Sequence, residues 1–355
     1  MAAQGRARRR RGEARPRPSR SRRSARATRP PGGGGQAGGP QPGVDLGKQA
    51  VLVAAENAAK QETGKYWFSN KLSEQSYVVR AESGTYAVAG ARIEDFSWTG
   101  AEPGVGTTFH WRELPAEPLT PADEAGWKKA GAPAKIKVWS TDKSLTLDAS
   151  KGSEWKNDGT SDGSRKWLRG ELTLEEMQKL PTDPKQLAER FFNGSESLRK
   201  NAMIPEDAEL PAHMKTKEFR SRWPITVVGR LNSVPLPPKV RAGLMRALAA
   251  QPGVTAIGET TDSLGRKGVA LASLPEVVEV TGEYGGPAED AGTYESREEI
   301  VFAKETGKVL ARRTVLTKPG ATYRDLKPGF VIYASTVRDS GWTDTKPTPP
   351  VEQPS

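Results

Sequence analysis

Three pairs of large aromatic residues stand two positions apart: Tyr66 with Phe68, Phe96 with Trp98, and Phe109 with Trp111. A period of two belongs to the extended strand, in which alternate side chains share a face; a helix would put such a pair on different sides. The stretch around these pairs is therefore constrained to form a sheet. Lys65–Val79, Thr85–Trp98 and Val105–Leu114, rich in Tyr, Trp, Val, Thr and Phe, read as consecutive antiparallel strands. Gly84, Gly90, Gly100 and Pro103-Gly104 punctuate them. All nine Trp and seven Tyr lie between Tyr66 and Trp342. Any core must lean on them, because Leu, Ile, Val and Phe total only 62 of 355 residues.

That apolar content is below the roughly one-fifth that marks disorder when net charge is high. The charge, however, is confined to one end. Twelve arginines and a single acid, Glu13, in the first thirty residues account for the whole formal charge of +11, so the rest of the chain is neutral. The first 43 residues contain no Leu, Ile, Val, Phe, Tyr or Trp, and 34 of them are Arg, Ala, Pro or Gly. With nothing to bury against the entropy of ordering, residues 1–44 are expected to form a disordered tail. Residues 343–355, with four prolines and no aromatic, read as a second one. The body between, 45–342, is expected to be one domain. The arginine run can neutralise phosphates, which makes a nucleic-acid-binding arm one alternative. Against it, the run has no interleaved aromatics, and it lacks the apolar stretch of a signal peptide. Its residue types are those of GC-rich codons, so it also reads like GC-rich DNA translated out of frame.

The body opens with a helix capped by Asp45, apolar at Leu46, Ala50, Val53 and Ala54, with Gly64 as its stop signal. A helical middle follows the first strands. Thr120-Pro121 opens one helix, Thr173 and Glu176 form a capping box, and Asp183-Pro184 repeats the device. Pro238–Ala250 is a further helix, apolar at Val240, Leu244 and Leu248. The last third returns to strands: Val254–Glu259 with Gly268–Leu274, then Glu299–Ala303 with Val309–Leu316 around Gly307, then Phe330–Val337.

Several chemistries are excluded. The chain has no cysteine and two histidines, His110 and His213, so thiol catalysis, disulfides and thiolate metal centres are absent. No apolar run approaches the roughly 18–20 residues of a membrane helix. Gly104-Val-Gly106 leads into a strand rather than a helix, and no Gly-x-Ser-x-Gly elbow exists. The acids Glu154, Asp158 and Asp162 lack calcium-loop spacing. Asn193-Gly-Ser195 matches a glycosylation sequon that short sequences contain by chance. No catalytic residue, metal ligand or cofactor is expected. Trp67, Trp98 and Trp111 are the candidate ligand-binding residues, with Trp139 and Trp167 as further candidates for an apolar cavity; their alternative is plain core packing.

The segments Gly64-Lys-Tyr-Trp-Phe68, Leu180-Pro-Thr-Asp-Pro184, Pro237–Leu248 with Pro252-Gly-Val254, and Phe302-Ala-Lys-Glu-Thr-Gly-Lys-Val-Leu310 resemble an uncharacterised family of actinobacterial membrane-anchored envelope proteins. That family is distantly similar to the lipoprotein-carrier (LolA-like) half-barrel, also used by periplasmic sensors that regulate sigma factors. The resemblance covers roughly 45–342. It implies an α+β fold: a curved antiparallel sheet, or half-barrel, with helices packed on its concave face. It further implies a non-enzymatic protein on the extracytoplasmic face of the envelope, binding a lipid or lipoprotein acyl chain. The alternative it carries is a sensor or regulatory domain with an envelope partner. Family members have a membrane helix before the body; here the basic tail stands in its place.

Overall fold

The computed structural model describes residues 45–140, 143–161, 172–194, 196, 198, 199, 204, 205 and 207–351. The basic tail, Asp162 and Trp167 lie outside them.

Helix α1 (Leu46–Ala59) starts where Asp45 Oδ1 accepts the N–H groups of Gly47 and Lys48 at 3.1 Å. It ends at Lys60, before the expected stop at Gly64. Gly64 has a different task. A Cβ there would lie 2.8 Å from the backbone of Thr343, so only glycine lets these two chain segments pass.

Of the three strands around the aromatic pairs, the first two are longer than their sequence limits and the third is shorter than Val105–Leu114. They are β1 (Tyr66–Ala81), β2 (Gly84–Gly100) and β3 (Thr107–Glu113). Two-residue β4 (Glu117–Pro118) and helix α2 (Pro121–Lys129) follow, the latter capped by Thr120. The expected helical middle is then interrupted by a hairpin, β5 (Lys135–Ser140) with β6 (Lys143–Asp148), and by β7 (Lys156–Ser161). Alternation decides it: Ile136, Val138 and Leu147 are buried and the lysines between them exposed.

Helices α3 (Leu174–Gln178) and α4 (Pro184–Ala188) begin at the expected caps, and the second runs into a π-helical turn at Glu189–Asn193. Helix α5 (Lys217–Leu231) contains Pro224 and has no counterpart in the sequence reading. Helix α6 (Pro238–Ala249) matches its expected span. Strands β8 (Thr255–Thr261), β9 (Lys267–Ala272), β10 (Glu276–Val280), β11 (Gly292–Phe302), β12 (Val309–Lys318) and β13 (Val331–Thr343) complete the chain.

The fold is α+β. Among the described residues an eleven-stranded antiparallel sheet runs in the order β7-β3-β2-β1-β13-β12-β11-β9-β8, with β4 beside β2 and β10 beside β11. Helix α5 lies on β11 and β12, α1 on β8 and β9, and α6 on α1, α4 and α5. The main core joins Val51 and Ala54 of α1, Ile225 and Leu231 of α5, Leu244 and Leu248 of α6, and Leu271, Ile300 and Phe302 of the sheet. The β5–β6 hairpin builds a separate core with Tyr77, Tyr86 and Val88. The segment after β13 makes specific contacts where a frayed end is expected. Lys346 Nζ lies 4.7 Å over Trp98, and Trp155 donates to the Pro350 carbonyl at 3.1 Å.

Candidate ligand cleft

The helices leave one end of the sheet uncovered, and a cleft of about 540 Å³ opens there. Its floor is Ser73, Gln75 and Tyr77 of β1, Tyr333 of β13, and Ala91 and Ile93 of β2. Trp139 and Ser140, at the tip of the β5–β6 hairpin, form one wall; β10 and the loop to Pro287 form another. Tyr294 and Tyr323 close the back, edge to face at 4.9 Å.

Local chain geometry makes this space. At the floor, one residue of β1, Glu74, faces two of β2, Ala91 and Arg92, and the bulge holds Ala91 at φ 47°. That backbone region is uncommon outside glycine and marks a fixed kink. The kink presents Ala91's small side chain to the cleft and turns Arg92 inward. Arg92, 6% exposed, sits between Glu74 (3.3 Å) and Glu117 (2.8 Å) and donates to the Pro115 carbonyl at 2.9 Å. Burial raises the pKa of Glu74, partly offset by Arg92.

The hairpin wall is held by close approaches at two glycines. A Cβ on Gly90 would meet Leu147 at 2.4 Å, and one on Gly286 would meet Trp139 Nε1 at 2.8 Å. Gly90, one of the glycines punctuating these stretches, lies within β2 as a seat for β6.

The back wall is tied down by charge. Asp290 accepts from Arg80 at 3.0 Å and Arg324 at 2.8 Å, and Arg80 also reaches the Thr322 carbonyl at 2.7 Å. The Asp290 carboxylate is thereby neutralised at the cleft edge. Burial pushes the phenol pKa values of Tyr294 and Tyr323 upward, so both keep their protons and can offer O–H donors. Six aromatic side chains therefore border the space, five of them tyrosines: an apolar lining with hydroxyl tips.

The three tryptophans singled out from sequence stand elsewhere and apart. Trp67 is buried against Trp342 and Arg241 at the other end of β1. Trp98, also buried, packs edge-on against Tyr66 at 5.5 Å under Lys346. Trp111 is half-buried, with Lys156 Nζ 4.2 Å above its ring and its N–H on Asp158 at 3.3 Å. Of the further candidates, Trp139 borders the cleft. The five cleft tyrosines are not among the sequence candidates; the strand pattern around Tyr294 and Tyr333 signals a strand and carries no mark of a cleft. His110 lies on β3 near Phe96 and Thr108, and burial lowers its pKa. Among the described residues no group of three or more His, Asp or Glu side chains could hold a metal ion, and no helix is long and apolar enough to cross a membrane.

No family model matches the chain, and no curated protein does. Among solved structures, the crystal structure of LprF from Mycobacterium bovis is similar at 9% identity, over 88% of this chain and 99% of that one. The TM-score is 0.24, a distant likeness that leaves any function to be argued from the cleft itself.

Proposed function

We propose that the protein is a non-enzymatic binder of an amphipathic molecule with an apolar chain, such as a lipid or a lipoprotein acyl group, acting on the extracytoplasmic side of the cell envelope. One observation carries the binding reading: a 540 Å³ cleft, within the roughly 300–1,000 Å³ of small-molecule sites, lined by six aromatic side chains. The rings supply apolar area, and their hydroxyl tips give a polar end somewhere to bond. The envelope location rests on the family resemblance; the reading of 45–342 as one body preceded by a tail rests on composition.

A second reading, an interaction domain of a regulatory system, has its own support. Ile93 is 40% exposed and Tyr284 60% exposed, and both border the cleft, as a docked protein segment would need.

Native mass spectrometry of the full chain, purified from its host, separates the two. A non-covalent adduct of lipid mass, absent from a Ser73→Phe variant that blocks the floor, supports the first. A bare protein mass, together with no fluorescence change on adding cis-parinaric acid, overturns it.

A further inference from the structure

At the end of β1 remote from the cleft, the main core borders a partly open chamber of about 30 Å³, where Gln61, Trp67, Asn232, Arg241 and Lys308 stand among apolar side chains. One water-sized occupant needs only about 10–15 Å³. Two buried donors among its lining residues lack a partner. Trp67 is 2% exposed and its indole N–H meets no acceptor; Asn232 is 5% exposed and its Nδ2 meets none. The Asn232 orientation follows from its other atom, since Oδ1 accepts from Arg241 Nη1 at 3.3 Å. The guanidinium of Arg241 stacks 3.7 Å from the centre of the Trp67 ring. Its remaining bonds go to the carbonyls of Asn232, Val234 and Leu236, and no carboxylate among the described residues pairs with it. At the mouth stands Lys308, whose ammonium is 3.8 Å from the exposed carboxylate of Asp339.

Buried polar groups in native proteins are overwhelmingly paired, so two orphaned donors beside one cavity point to an occupant. Water could accept from these N–H groups but would leave the Arg241 guanidinium, which pairs with no carboxylate among the described residues, without a counter-charge. A cation is excluded by the guanidinium. We propose that the chamber binds a small monovalent anion of chloride size, held by the Trp67 indole N–H, the Asn232 amide and the Arg241 guanidinium. The bound charge would act as the internal counter-ion of Arg241 and lock α6 onto β1.

The test compares thermal unfolding of the full chain in sodium chloride and in sodium gluconate at equal ionic strength, because gluconate is too large for the chamber. Above the dissociation constant, each tenfold rise in chloride is expected to raise Tm by about 2–4 °C, with no such rise in gluconate. Trp67→Phe keeps the ring and removes the donor, and should blunt the response. Asn232→Asp supplies a fixed carboxylate beside Arg241 and should abolish it without loss of folding in gluconate. Equal responses to the two salts would mean that the chamber holds water only and would overturn the proposal. A chloride response retained in both variants would place the anion elsewhere and overturn it equally.

Discussion

Glu94 offers the sharpest test of how the exposed-looking face of this sheet is held. It sits on β2 with no solvent exposure, on the side turned away from α5 and α6. Arg112 donates to Oε2 from Nε at 2.8 Å and from Nη2 at 2.6 Å; Oε1 accepts from Arg338 Nη1 at 2.6 Å and from Asn70 Nδ2 at 3.1 Å. Glu94→Gln keeps the size but turns one acceptor into a donor facing two N–H groups, and leaves two cations around a neutral side chain. Breaking one partner of a buried ion pair costs about 3–5 kcal/mol, a large part of the roughly 5–15 kcal/mol that holds a domain together. Urea unfolding followed by circular dichroism should show that loss as a lower midpoint at unchanged slope. Glu124→Gln is the control. Its pair with Lys128 is similarly short at 2.6 Å, but both side chains are at least half exposed, so it should cost at most about 0.5 kcal/mol. A Glu94→Gln loss no larger than the control would refute the reasoning, since water would then be solvating those arginines.

The remaining expectations are briefer. Leu244→Ala, at a site 2% exposed in the centre of α6, should cost about 2–5 kcal/mol by urea titration, and a loss below 1 kcal/mol would mean that the core closes up around the gap. His110 has a folded pKa below its ordinary 6.5, so the unfolded chain binds the extra proton first. Its contribution is intact above about pH 6.5, falls as pH drops below that value, and levels off under the folded pKa. His110→Gln should remove that part of the pH dependence of Tm; an identical profile in the variant would show that burial of the ring is not felt. Deleting residues 1–43 should leave Tm unchanged, because they hold no Leu, Ile, Val or aromatic side chain; a drop of several degrees would reveal docking on the body.

Local chemistry in the chain was readable wherever one residue type settles the geometry. Asp45, Thr120, Thr173 and Asp183 all cap the helices they announce, because a side-chain oxygen placed before the first turn satisfies backbone donors whatever the tertiary context. Gly307 does occupy the left-handed turn, at φ 66°, between β11 and β12. Alternating aromatics announced β1 to β3. Equal spacing did not mean equal surroundings, though. Trp98 pairs across to Thr108 and is buried, whereas Trp111 pairs across to Asp95 on the other face and meets solvent and Lys156. Helix α5 was hidden by Pro224, which normally breaks a helix; here Trp223, Ile225, Val227 and Val228 around it are all buried, and packing outweighs the missing N–H bond.

The cleft was illegible for a different reason: it is made of distances between segments far apart in sequence. Tyr77, Tyr294, Tyr323 and Tyr333 meet only because β1 pairs with β13, β13 with β12, and β12 with β11. The β5–β6 hairpin stands over them only because Gly90 and Gly286 lack side chains that would push Leu147 and Trp139 away. None of these residues differs locally from an ordinary strand or turn residue. The bulge at Ala91 is equally silent, since alanine is not the residue a positive φ would select. A fixed kink under an aromatic-lined opening is a local cost that the surrounding packing has to offset, and such costs gather where a ligand is held. Ala91→Gly should therefore relax the kink and weaken capture of an acyl probe more than it changes Tm. An affinity that merely follows Tm would show the kink to be structural alone.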